Sequence, residues 1–134
     1  MKPPEDQARL KLIADWLNKA DQDIRAAEAL LSQDPPLLFP SCFHAQQAAE
    51  KHLKALLALW AIEIPKTHEL GKLLKVVESR NAELACGLID AVVLNTYAVD
   101  TRYPADRPEP SVEEASQALD LARRVRDAIL PLLP

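Results

Sequence analysis

The sequence predicts an all-α protein, an antiparallel up-and-down helical bundle of about five helices in one domain spanning residues 1–134. Three observations carry that expectation. The chain has two glycines against eleven prolines, and a β-rich chain of this length needs more glycine in its turns. Apolar residues recur at alternating steps of three and four, the stripe of a bundle helix. Prolines stand between these periodic segments, where they end helices: proline donates no backbone hydrogen bond and keeps its predecessor out of the helical region.

The first helix is expected from about Glu5 to Ser32, with Leu10, Ile13, Leu17, Ala20, Ile24, Ala27 and Leu31 on one stripe. Glu5 and Asp6 favour its N-terminal dipole, and "QDPPLLFP" ends it. Ser41, directly after Pro40, is the expected N-cap of a second helix reaching about Ala61, with Cys42, Ala45, Ala49, Leu53, Leu56 and Trp60 on its core face. After "IEIPKT", Thr67 is the expected cap of a third helix, "HELGKLLKVVES". "NAELACGLIDAVVLNTYAVD" reads as a fourth helix, apolar nearly all round from Leu84 to Val99, which places it in the middle of the domain or partly in a subunit interface. "TRYPADRPEP" is a proline-rich loop. Ser111 and Glu114 then form a capping box for a fifth helix to about Leu130. Arg123, Arg124 and Arg126 lie near its C-terminal end, where cations suit the dipole.

Apolar residues make up 49% of the chain and charged residues 27%, an ordinary soluble composition. The net charge of −4 and the lack of a basic block argue against a DNA-binding protein, while leaving room for one nucleotide or a short RNA in a local pocket. "MKPPEDQARL" lacks the apolar core of a signal peptide and no apolar run is long enough to span a membrane, so a cytoplasmic location is expected. Cys42 and Cys86 fall in apolar helical pattern and read as buried free thiols.

Several chemistries lack their residues. There is no Gly-rich phosphate loop and no G-x-S-x-G elbow. His44, His52 and His68 lack the i,i+4 spacing of two metal ligands on one helix face, and no Glu-x-x-His pair is present. No metal or cofactor is expected, and no catalytic residue is assigned.

The second helix carries an unusual polar load for a core helix. His44, Gln47, Lys51 and Lys54 follow at steps of three, four and three, a continuous row on one face. Gln46 and Glu50 form a neighbouring row, and Glu50 with Lys54 has the favourable i,i+4 order for an ion pair. The row is either a solvated face opposite the core or, partly enclosed between helices, a wall for an anionic or heterocyclic ligand.

"CFHAQQAAEKHLKALL", "IPKTHELGKLL" and "LNTYAVDTRYP", in this order and spacing, resemble the HEPN domain, over nearly the whole chain. The resemblance implies a helical bundle, commonly a homodimer, often paired with a separate minimal nucleotidyltransferase, and in some systems the HEPN member of a toxin–antitoxin pair. It points to Gln46, Gln47, Glu50 and Lys51 on the second helix, His68 at the third, and Tyr97, Arg102 and Tyr103 about the end of the fourth, as candidate ligand contacts. Lys51 and Arg102 suit phosphates, Tyr97 or Tyr103 a base face, and Gln46 or Gln47 a base edge. His68 lies by a helix N-terminus, where unpaired N–H groups favour an anion. Each also has a structural alternative in pairing or capping.

Many HEPN proteins are ribonucleases with an Arg followed after four to six residues by a His. Here the positions that far beyond Arg102 hold Arg107, Pro108 and Glu109, and no His follows His68. The resemblance therefore favours a non-catalytic nucleotide-binding or substrate-binding module over a ribonuclease toxin or a purely structural interaction protein.

Overall fold

A computed structural model describes residues 3–98 and 109–134. Among them the chain forms five α-helices, α1 (Pro4–Leu31), α2 (Leu38–Leu59), α3 (Leu70–Glu78), α4 (Ala82–Gly87) and α5 (Val112–Ile129), with a 3-10 helix at Ile89–Tyr97 and a short one at Leu130–Leu132. They pack as an all-α antiparallel bundle.

α2 is the central element. It packs against α1 on one side and α5 on another, and also meets α3 and the 3-10 helix. Ala45, Ala49, Leu53, Leu56 and Leu57 are fully buried, facing Ile24 and Ala27 of α1, Leu70, Leu73 and Val77 of α3, and Ala122, Val125 and Ile129 of α5. Each leucine so enclosed contributes about 1.5–3 kcal/mol relative to solvent exposure. The first-helix and last-helix expectations hold, including both hydrogen bonds of the Ser111–Glu114 capping box.

α2 begins three residues before the expected start. Pro40 sits in its first turn, where backbone N–H groups have no intrahelical acceptor, so the missing donor costs nothing there. Ser41 is therefore not the cap. Its hydroxyl is buried and donates to the Ala27 carbonyl at 2.8 Å, tying α2 to α1.

The C-terminus of α2 closes with a Schellman motif. Ile62 N–H donates to Leu57 O at 3.0 Å and Ala61 N–H to Ala58 O at 3.1 Å. Ala61 pays for this with a left-handed backbone, φ 56°.

Thr67 does not cap α3 either. Its Oγ1 accepts at 3.1 Å from the N–H of Glu69, the residue directly before the helix, and the first helical N–H, that of Leu70, donates to Asn95 Oδ1 at 2.8 Å.

The expected fourth helix is split. Asn81 caps α4 by accepting from Leu84 N–H at 3.0 Å, and after Gly87 the chain continues as a 3-10 helix. β-Branched Ile89, Val92, Val93 and Thr96 have weak α-helical preference. The 3-10 repeat of three aligns Leu88, Ala91 and Leu94 toward the core and leaves Asp90, Val93 and Thr96 exposed. This segment is thus one-sided rather than central, with Ile89 and Val93 among the exposed apolar side chains. The two cysteines differ: Cys42 is buried, whereas Cys86 on α4 is exposed. Burial pushes the Cys42 thiol up to about 11, against the lowering effect of a hydrogen bond from Tyr97. No helix among the described residues is long and apolar enough to cross a membrane.

Candidate functional site

The polar row on α2 is enclosed, not solvated. Gln46, Glu50 and Lys54 are buried, and Gln47 and Lys51 half-buried, because α1 and the start of α3 cover that face. Two buried carboxylates organise it.

Asp23, on α1, accepts from Lys51 Nζ at 2.6 Å and pairs with His44 Nδ1 at 2.8 Å. Lys51 therefore stitches α2 to α1, and its ammonium is already committed. Glu50, on α2, uses both oxygens: Oε2 accepts from Lys54 Nζ at 3.0 Å, the i,i+4 pair foreseen from spacing, and Oε1 pairs with His68 Nδ1 at 2.8 Å. Lys54 Nζ also lies 5.4 Å from the centre of the Trp16 ring, a cation–π contact that helps accommodate a buried ammonium.

Gln46 holds the backbone beneath this histidine by donating from Nε2 to His68 O at 2.8 Å. Its own Oε1 accepts from Gln47 Nε2 at 2.7 Å. The segment from His68 to Leu70 is thus pinned by Glu50, Gln46 and Asn95. The imidazole stands outward on that base. Its side chain is 62% exposed, while the Glu50 side chain behind it is 3% exposed. With Nδ1 turned to the carboxylate, Nε2 is the ring nitrogen that faces solvent.

It faces a groove of about 540 Å³, lined in part by Lys66, Thr67, His68, Lys72, Asn95 and Thr96. Lys72 pairs with Glu69 at 2.9 Å across an exposed surface. Among the described residues no three His, Cys, Asp or Glu side chains gather to hold a metal ion.

Of the candidate contacts named from sequence, Gln46, Gln47, Glu50 and His68 form one hydrogen-bonded unit, and Lys51 belongs to the neighbouring Asp23 cluster. Tyr97 is separate. Its ring meets Phe39 edge-on, with centroids 6.1 Å apart, and its side chain hydrogen-bonds Cys42, so its ring is held against the core. Arg102 and Tyr103 lie outside the described residues. Asp23, Lys54 and Asn95 were not among the candidates. Lys54 was visible as the partner of Glu50, but Asp23 and Asn95 join the network over 28 and 25 residues of chain, a range that helix periodicity does not report.

The HEPN domain profile matches residues 13–132. Among solved structures, TT1696 from Thermus thermophilus is 31% identical with a TM-score of 0.75, over 90% of this chain and 98% of that one. ST0689, an archaeal HEPN homologue, is 23% identical with a TM-score of 0.72, over 91% and 98%. None of the curated proteins compared with the chain matches it.

Proposed function

Since this chain belongs to the HEPN domain family, we propose that it is a nucleotide-binding module, non-catalytic in itself, with the His68 groove as its site. It acts as a homodimer alongside a separate minimal nucleotidyltransferase, as the HEPN member of a toxin–antitoxin pair. The partner supplies the metal-binding carboxylates and Gly-rich phosphate loop that this sequence does not contain.

The observation that carries the reading is the mounting of His68: an exposed imidazole, backed by a buried carboxylate and facing a groove with Lys66 and Lys72 on its walls. A histidine needed only for packing does not require a buried partner to aim its outer nitrogen at solvent. Protonated, the ring donates from Nε2 to an anionic oxygen while Nδ1–H stays on Glu50.

The test is a thermal-shift series against ATP, GTP, CTP, UTP, NAD and a short RNA, for the wild type and His68→Gln. A ligand at one hundred times its Kd stabilises the folded state by about 2.7 kcal/mol, which for a chain of this size raises the midpoint by roughly 8 °C. A rise with one or more of these ligands that His68→Gln abolishes supports the reading. No shift with any of these ligands from a folded wild-type protein overturns it.

A further inference from the structure

Among the described residues the groove wall carries two lysines against one carboxylate, Glu69. Lys66 makes no ion pair among the described residues and keeps its ammonium for a ligand. His68 has Nδ1 occupied by Glu50, so only Nε2 is offered, a donor when the ring is protonated. Asn95 spends Oδ1 on the Leu70 N–H, which leaves its Nδ2 amide as the group available to the groove. Lys72 adds a second ammonium, shared with Glu69. Among the described residues no Phe, Tyr or Trp ring lies on the groove wall, and Tyr97, which follows Thr96, is turned against Phe39.

A nucleobase needs a flat apolar face for stacking and a mixture of donors and acceptors along its edge. A phosphate chain needs the opposite: donors and positive charge, with acceptors kept away. The walls fit the second requirement. Of the acceptors nearby, Glu50, Gln46 Oε1 and Asn95 Oδ1 are engaged in internal hydrogen bonds, and the Glu69 carboxylate on the wall is paired through Oε2 with Lys72.

We infer that the His68 groove recognises the polyphosphate chain of its ligand and not the base, so that it takes nucleoside di- and triphosphates with little regard to base identity, and inorganic polyphosphate as well. This rests on the nucleotide-binding reading above and narrows it to one part of the ligand.

Calorimetric titration of the full chain with ATP, inorganic tripolyphosphate and adenosine tests it, each against the wild type, His68→Gln and Lys66→Ala. Lys66 is exposed, and in His68→Gln the buried Glu50 carboxylate keeps Lys54 as its partner, so both variants are expected to fold, which circular dichroism checks. The expected result is that ATP and tripolyphosphate bind with dissociation constants within about threefold of each other, and adenosine does not bind. His68→Gln weakens both binders roughly tenfold or more, the loss of one hydrogen bond to a charged group, and Lys66→Ala weakens both as well. Binding of ATP without tripolyphosphate, or of adenosine as tightly as ATP, overturns the inference while the nucleotide-binding reading stands. Tripolyphosphate binding that neither substitution weakens also overturns it, by removing the site from this groove. Failure of all three ligands overturns the inference and the nucleotide-binding reading together.

Discussion

Replacing Lys54 with methionine strips the ammonium from a carboxylate whose side chain is 3% exposed, in a pair whose lysine is itself 8% exposed. The two charges meet at 3.0 Å and neither has water as an alternative partner. Breaking such a pair by removing one member leaves an uncompensated buried charge and costs about 3–5 kcal/mol. His68 remains on Glu50 and offsets part of this, so the lower end, about 3 kcal/mol, is expected. At an m-value of about 2 kcal/mol/M in urea, that moves the unfolding midpoint down by roughly 1.5 M. The double variant Glu50→Gln/Lys54→Met carries no charge at this pair, and methionine fills the space of the lysine stem against Trp16. It should recover most of the loss, ending within about 1 kcal/mol of wild type. Urea unfolding of wild type, both single variants and the double variant closes the cycle. A cost below about 1 kcal/mol for Lys54→Met, or a double variant as unstable as the sum of the singles, would refute the claim that this pair is an enclosed, coupled unit.

Other perturbations test separate parts of the account. Ala61→Gly should stabilise the protein by about 0.5–1 kcal/mol in thermal or urea unfolding, since glycine takes the left-handed φ without the Cβ penalty of 1–2 kcal/mol and gives back part of that as unfolded-chain entropy. Ser111→Ala should cost about 0.5–2 kcal/mol by the same assays, through loss of the N-cap acceptor for Glu114 N–H. His52 is buried on α2 with Nδ1 donating to Ala48 O at 2.9 Å, and burial, with a smaller contribution from Arg126, lowers its pKa from 6.5. Because the folded value lies below the unfolded one, the unfolded chain binds the extra proton first as the pH falls. The stabilisation is complete above 6.5 and is lost as pH drops through 6.5 toward the folded value. Stability measured from about pH 7.5 to 5.5 should therefore fall, and His52→Gln should flatten that part of the fall.

Much of the fold was legible because helix faces are written in local spacing. The stripe from Leu10 to Leu31 and the Ser111–Glu114 box need only neighbours within a turn or two, and both read correctly. The start of α2 did not, because Pro40 marks either the residue before a helix or its first turn, and the alternatives differ by the tertiary bond from Ser41 to Ala27. The 3-10 segment was obscured by its apolar content: Leu84 to Val99 is apolar at nearly any period, so a repeat of three was not distinguishable from 3.6. In the site, Glu50–Lys54 followed from i,i+4 geometry, whereas the enclosure of the row depends on Asp23 and on where the chain before α3 returns. Lys51 shows the consequence. Its charge suggests a phosphate contact, but a buried aspartate from α1 claims it.

The central claim is that a nucleotide sits at His68, and amide-resolved NMR titration with ATP tests it most directly. The account predicts that the shifts that move on binding cluster at residues 66–72 and 95–98, with the His68 ring signals moving most among the histidines. Shifts confined to the α1–α5 face, or no saturable change at all, would contradict it.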